Sequence, residues 1–257
     1  MTHTIDAPEA SPRPEIATLG LSDIRDALAQ GWRDFRRAPQ FGLFFSAVYV
    51  LGGFLMVFLS AGHVTWVLAT SLGFPLAAPF AAVGLYEVSR RLEQGRALDW
   101  YKVLGVVWDE RKRQIPWMGA IIVIFFLFWT FFAHMLFALF MGVSKMRSAS
   151  LEAFLTPEGL TLIAVELAVG AAAAFLLFSL TVVSLPLVLE KEVDFMTAML
   201  LSFETVRRNF FVMLVWAAII ATISLLGLLP AFLGLVVALP LLGHATWHMY
   251  RKALIHP

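Results

Sequence analysis

Residues 115–143 read IPWMGAIIVIFFLFWTFFAHMLFALFMGV, an apolar run in which His134 is the one side chain that can carry a charge. A helix of about 20 apolar residues crosses the roughly 30 Å hydrocarbon core of a bilayer. Backbone amides have no partners in lipid, so such a run must satisfy its hydrogen bonds as a helix. This stretch therefore predicts a transmembrane helix.

Five further runs have the same character, and the predicted spans are residues 41–61, 64–85, 115–143, 159–189, 210–229 and 231–250. The composition agrees, because 60% of the residues are hydrophobic and 14% are charged, whereas soluble domains carry about 25% charged residues. We therefore predict an all-α membrane protein with six transmembrane helices. The last two runs meet around Gly227 and Pro230, so one re-entrant hairpin is the alternative for that pair.

The positive charges are distributed unevenly between the two sides of these spans. Lys145 and Arg147 lie in one outer connection, while the other 17 of the 19 Lys and Arg residues lie on the opposite side. Positive flanks are retained in the cytoplasm, so we predict that both termini of this membrane protein are cytoplasmic. Residues 1–18 lack a signal-peptide pattern and are predicted as a disordered cytoplasmic tail, followed by a single transmembrane domain over 19–257.

A pattern of an acid, an aromatic residue and a basic pair occurs three times, each time before a predicted span. Asp23, Asp99 and Asp194 open the units, and an aromatic residue follows each of them nine positions later. The pattern predicts a threefold internal repeat of interfacial helix, span, span, with units at about 22–88, 97–189 and 192–252. Chance alignment of a few residues is the alternative.

The segments between acid and basic pair have apolar residues at helical spacing, which is typical of amphipathic helices lying in the headgroup region. Basic residues at the end of such a helix attract anionic lipid. The candidate headgroup contacts are the basic pairs Arg36 and Arg37, Lys112 and Arg113, and Arg207 and Arg208. Membrane lipids are therefore predicted partners, and nothing in the charge pattern indicates nucleic acid.

Ionisable residues inside spans are candidates for function because they are costly to keep in lipid. His134 and Glu166 both fall toward the outer side of their predicted spans. One interpretation is a proton-titratable pair, in which the carboxylate favours the charged imidazole. The other is a polar contact between neighbouring helices, worth about 0.6 kcal/mol.

His244 and His248 are four residues apart and so share one helical face. That spacing is compatible with a metal, but the sequence shows no third ligand, and an anchor belt with Trp247 and Tyr250 explains it equally well. The chain has no cysteine, and it shows neither a phosphate-binding glycine loop nor a nucleophile elbow. We predict no cofactor, no metal site and no enzymatic activity.

Two stretches resemble a known family. Residues 184–188, SLPLV, continue into a pattern through Asp194 and Asn209 to Trp216, and residues 243–251 read GHATWHMYR. Both are similar to motifs of a proteobacterial integral membrane protein family, domain of unknown function 2189, some members of which are labelled putative cytochrome c oxidase subunit. The resemblance implies an inner-membrane protein with a respiratory association.

Three functions follow as expectations. The first is a non-catalytic accessory or assembly subunit of a respiratory complex resembling cytochrome c oxidase, with other inner-membrane subunits as partners. The second is a small-molecule or proton-coupled transporter or channel, favoured by the repeat and by the prolines in the second spans. The third is a lipid-interacting protein that organises the membrane.

Overall fold

The computed structural model describes residues 14–59, 64–144 and 151–255, and the side chains of these except 56, 57, 59, 64–77 and 151. The described residues are mainly helical and include one pair of two-residue strands. The elements are β1 (Glu15–Ile16), α1 (Leu21–Arg37), α2 (Pro39–Leu59), α3 (Val64–Glu93), α4 (Trp100–Glu110), α5 (Ile115–Met141), a 3-10 helix (Leu151–Leu155), α6 (Pro157–Thr181), α7 (Ser184–Glu190), α8 (Phe195–Arg208), α9 (Phe210–Leu228), α10 (Leu235–Ala253) and β2 (Leu254–Ile255).

Three helical segments of the described chain are long and apolar enough to cross a membrane, namely α5, the joined α6 and α7, and α9. A fourth is obtained if α1 and the first part of α2, which meet at an angle of 101°, count as one broken span. Six spans are therefore not confirmed. Part of the predicted second span lies among side chains outside the described set, and α10 carries histidines and basic residues along its second half.

The order of a short amphipathic helix and two longer helical segments occurs three times, in α1–α3, α4–α7 and α8–α10. The acids that open the predicted units lie at helix starts. Asp99 and Asp194 are N-cap residues whose carboxylates accept from backbone amides within their own helices, and Asp23 lies in the first turn of α1. Capping alone explains these acids, so the threefold repeat stays a prediction.

The predicted fourth span is interrupted between α6 and α7. Ser202 of α8 spans the break, because its hydroxyl accepts from the Val183 amide at 3.1 Å and donates to the Ser179 carbonyl at 2.8 Å. Ser202 is fully buried, so it supplies partners for backbone groups that the interrupted helix leaves unpaired. The proline of the SLPLV stretch, Pro186, lies in the first turn of α7, where a missing amide hydrogen is tolerated.

The two ends of the described chain lie together. β1 pairs antiparallel with β2, and Glu15 is opposite Ile255. Asn209 accepts from the Leu19 amide at 2.8 Å and donates to the Ala17 carbonyl at 3.0 Å. Residues 15–18 of the predicted tail are therefore part of the fold, while 1–13 lie outside the described residues, as do Lys145 and Arg147.

Many of the most completely buried side chains lie where β1, β2, α1, α7 and the first turns of α9 meet the last turns of α3 and α10, a region called the polar end below. Its core includes Trp216, Trp247 and Tyr250, none of which is exposed to solvent. By contrast, few residues of α5 are fully buried, although α5 packs against α3 and α6. Of the three candidate spans, α5 is thus the least buried, whereas α7 and the start of α9 belong to the polar end.

Candidate functional site

The two histidines of α10 lie inside the helix bundle. His244 has no solvent exposure and His248 has 8%. Both are covered by α1, which crosses α10 so closely that Gly31 lies against the backbone of Ala245. The structure therefore places these side chains between α10, α1 and α3, away from an exposed anchor belt.

Asp34 of α1 and Ser89 of α3 connect the two histidines. Nε2 of His248 lies 2.7 Å from Oδ2 of Asp34. The Ser89 hydroxyl donates to the same oxygen at 2.9 Å and lies 2.8 Å from Nδ1 of His244. Asp34 is 6% exposed and Ser89 is fully buried, so the four side chains form one continuous buried network.

The hydrogen-bond pattern assigns the protons of this network. An ionised carboxylate only accepts, so Ser89 uses its single hydrogen to bind Asp34. The oxygen of Ser89 then accepts from His244, which must carry its proton on Nδ1. His248 donates to Asp34 through Nε2. In this arrangement the Nε2 atom of His244 holds a lone pair, and among the described residues this buried atom has no hydrogen-bond partner.

A polar cleft leads to this network from the surface. Its volume is about 180 Å³, and the residues that line it are Gln30, Arg33, Asp34, Arg37, Leu92, Glu93 and His248. Glu93 is itself held by Trp247, whose indole N–H donates to it at 2.9 Å, and by Arg251 at 3.1 Å. The cleft thus presents charges of both signs beside one face of the network, and His244 lies at the other end.

A second cavity lies among α2, α3, α6, α7, α9 and α10. Its volume is about 220 Å³, and its lining is mainly apolar with hydroxyl groups from Tyr49, Tyr86, Thr181, Ser224 and Thr246. Several of these hydroxyls donate to helix carbonyls, as Tyr49 does to Ala78 at 2.7 Å. The hydroxyl oxygens of Thr181 and Thr246 can also accept a hydrogen bond from a guest, and the described residues that line the cavity carry no charge.

His134 and Glu166 line one open cavity of about 210 Å³ together with Ala133 and Phe137. Nδ1 of His134 lies 2.7 Å from the Thr130 carbonyl, so this nitrogen carries the proton and donates within its own helix. Within the described part of the chain, no hydrogen bond or ion pair joins His134 to Glu166. The helices thus bring the two residues into one cavity, and their action as a titratable pair stays a prediction.

The candidate headgroup contacts differ in how far acids compensate their charges. Glu204 binds both Arg207 and Arg208, at 2.9 and 2.8 Å, and the two arginines lower the pKa of this carboxyl to about 2. Arg113 binds Glu110 and Glu192, each at 2.5 Å. The side chains of Arg36, Arg37 and Lys112 are exposed.

Asp34 and Ser89 are functional candidates that the sequence analysis does not identify. Asp34 could have been found from the pattern of α1, because it shares a helical face with Ile24, Ala27 and Gly31, which are all buried. An acid on the buried face of an amphipathic helix requires a partner. Ser89 has no such signal, since a serine near the end of a long helix is unremarkable until its neighbours are known.

The described residues contain no group of three or more acidic or histidine side chains placed to hold a metal ion. A search of curated proteins finds no match, and neither does a search of solved structures. The model of one family, described as a predicted integral membrane protein (DUF2189), matches residues 67–190. Residues 67–190 are therefore similar to the family that the sequence motifs resemble, and this match together with the long apolar helices identifies the chain as an integral membrane protein.

Proposed function

We propose that this protein moves a small uncharged solute across the bacterial inner membrane, with the cavity among α3, α6, α9 and α10 as the solute site. The observation that carries the proposal is the cavity itself, which combines an apolar lining with hydroxyl groups from several helices. Ligand sites typically have this composition, in which a few polar groups orient a mainly apolar guest.

The cavity limits the class of solute. Its volume of about 220 Å³ corresponds to that of about seven water molecules in the liquid, at roughly 30 Å³ each. A charged guest would lose its hydration without gaining an opposite charge. Small polyols, amides and phenols therefore fit better than ions or large metabolites.

The helices around the cavity also contain prolines at positions where a helix can bend. Pro186 lies in α7, and Pro240 lies inside α10 one residue from the cavity-lining Leu239. Interrupted helices near a binding site are a recurrent feature of transport folds. Because proline removes a backbone hydrogen bond, it provides a position at which α10 can bend.

Solute flux into proteoliposomes tests the proposal. Swelling would be followed by light scattering with glycerol, urea and phenol as separate solutes. We expect at least one solute to enter faster than into protein-free vesicles, and Ala82→Trp to abolish the difference because the indole fills the cavity. Ala171→Trp is the matched control, since Ala171 is an exposed residue of α6. Equal swelling with and without protein, or full flux in Ala82→Trp, would refute the proposal.

An accessory role in a larger membrane complex is the second candidate, and the exposed apolar face of α5 favours it. Ile124, Phe128 and Phe131 are each at least 65% exposed on that helix, so a partner helix could pack there. Purification from the native membrane in mild detergent, followed by mass spectrometry and an optical spectrum, tests this role. Near-stoichiometric recovery of haem-containing oxidase subunits would support the respiratory association, and recovery of this chain alone would exclude it.

The charge asymmetry of the sequence supports an orientation with the polar end in the cytoplasm. Both described ends of the chain belong to the polar end, so one assay locates them together. A reporter fused to the C-terminus, active only in the cytoplasm, is expected to be active in whole cells. Activity of a periplasm-specific reporter at the same position would reverse the assignment.

A further inference from the structure

We infer that Nε2 of His244 is a proton-binding site connected to the polar cleft by a relay through Ser89 and Asp34. The inference goes beyond the proposed solute transport, because it requires only the buried network and the cleft. Its ligand is a proton, and its position is set by three side chains from three helices, α10, α3 and α1.

The first step of the argument is the unpaired nitrogen. Nε2 of His244 is buried and has no hydrogen-bond partner among the described residues. Buried polar atoms without partners are rare, and each requires an explanation. Because Ser89 donates to Asp34, it accepts from Nδ1 of His244 in this assignment, and the lone pair on Nε2 is then the basic position of the ring.

The second step is the direction of the hydrogen bonds. His244 donates to Ser89, and Ser89 donates to Asp34, so every bond points from the histidine toward the cleft. When a proton binds Nε2, the proton on Nδ1 can move to Ser89 Oγ as the hydroxyl proton of Ser89 moves to Oδ2 of Asp34. His244 remains neutral with its proton on Nε2, Ser89 is unchanged, and Asp34 has become an acid. One proton has been taken up, and one has been delivered.

The third step is release. Asp34 lines the cleft, so its acid form can lose a proton to water there. Arg33 and Arg37 of α1 and Glu93 of α3 line the same cleft. His248 of α10 is a positioning residue, because its N–H holds Oδ2 of Asp34 at 2.7 Å.

Exchange of the His244 ring proton with solvent tests the relay in the purified full-length protein. Nitrogen-15 NMR of histidine-labelled protein in nanodiscs reports which ring nitrogen carries the proton and how fast that proton exchanges. We expect the Nδ1–H form at His244 and exchange that is fast for a residue without solvent exposure. His134 is an internal reference, because its Nδ1 proton binds the Thr130 carbonyl and is independent of Ser89.

The deciding variant is Ser89→Ala, which removes the connecting hydroxyl. The relay predicts that exchange at His244 slows by about tenfold or more, as expected when a proton-transfer group is lost. Ser89→Thr keeps a hydroxyl and should restore fast exchange. Ser184→Ala is the matched control, since that buried hydroxyl donates to the Leu180 carbonyl of the same chain segment at 2.6 Å.

A purely structural role of Ser89 predicts that exchange of the His244 ring proton does not slow in Ser89→Ala. If the hydroxyl only tied the helices together, its loss would loosen the bundle, and exchange would be faster or unchanged. Either result in Ser89→Ala would overturn the relay, as would a His244 that carries its proton on Nε2 in the native protein. The measurement uses no solute, so failure of the relay and failure of the proposed transport are distinguished.

Discussion

Replacement of Gly31 by alanine tests the packing of α1 on α10. A Cβ atom at Gly31 would lie 2.6 Å from the Ala245 amide nitrogen and 2.8 Å from the Leu241 carbonyl oxygen. Carbon contacts are favourable near about 3.5–4.0 Å, and both obstructing atoms belong to the backbone, so no side-chain rotation relieves the contact. The two helices must separate by roughly 1 Å.

Two opposing free energies determine the result. Alanine favours the helix over glycine by about 0.8–1.0 kcal/mol, while overpacking of a close contact costs about 1–3 kcal/mol. Because both obstructing atoms belong to the backbone, we expect a cost in the upper part of that range, about 2–3 kcal/mol, so the free energy of unfolding falls by about 1–2 kcal/mol in net. At roughly 2–4 °C per kcal/mol for a chain of this size, Tm falls by about 2–8 °C.

The assay is thermal unfolding of the purified protein in one detergent, followed by circular dichroism. Gly105→Ala is the matched control, because Gly105 lies within α4 and a Cβ there meets no atom within 4 Å. That variant should keep or raise Tm through helix propensity alone. A Gly31→Ala protein as stable as Gly105→Ala would refute the close crossing of α1 and α10, and with it the burial of Asp34.

Three further predictions concern other contacts of the polar end and its surroundings. Ser202→Ala should lower the free energy of unfolding by about 1–3 kcal/mol, because a buried backbone amide loses its acceptor, and urea titration measures the change. Lys252 binds Asp23 at 2.8 Å, and this ion pair lowers the pKa of Asp23 below 3.8 and raises the pKa of Lys252 above 10.5. The ion pair therefore stabilises the fold fully between pH 3.8 and pH 10.5. This stabilisation is lost as the pH falls through the folded pKa of Asp23 or rises through the folded pKa of Lys252. Hydrogen exchange of the 21–26 amides at pH 7 and pH 3 should show faster opening at pH 3, and a Lys252→Gln protein should lose this difference. Glu204→Gln leaves its two arginine partners uncompensated, so binding to vesicles that contain phosphatidylglycerol should strengthen and should weaken with added salt; unchanged binding would argue against a headgroup role for those arginines.

The long apolar helices follow from the sequence with errors of a few residues. The predicted span 115–143 corresponds to α5 (Ile115–Met141), and 210–229 corresponds to α9 (Phe210–Leu228). Agreement is close because these segments are apolar on all faces, so their limits are marked by the first polar or helix-breaking residues. For α6 and α7, the prediction lacks the break, because the partner that stabilises it, Ser202, is distant in sequence.

The candidate site was only partly predictable, for a related reason. His244 and His248 are visible as polar residues in an apolar run, and one helical turn separates them. Their partners Asp34 and Ser89 are about 155–214 residues away along the chain, and local periodicity contains no information about such pairs. Nothing in the sequence alone indicates that α1 folds over α10.

The packing of α1 explains how α10 can be apolar in its first half and carry polar and charged side chains in its second half. Trp247, His248, Arg251 and Lys252 would be costly on a helix that faced lipid along its whole length. The sharp bend between α1 and α2 lays α1 across the second half of α10, where Asp23 and Asp34 bind Lys252 and His248. In contrast, α4 and α8 keep exposed apolar side chains, such as Tyr101 at 88% and Leu200 at 62%. Of the three amphipathic helices, α1 is thus the one that covers histidines. Removal of its buried carboxylate, Asp34, should therefore affect the protonation of His244 more than any substitution on the exposed faces of α4 and α8.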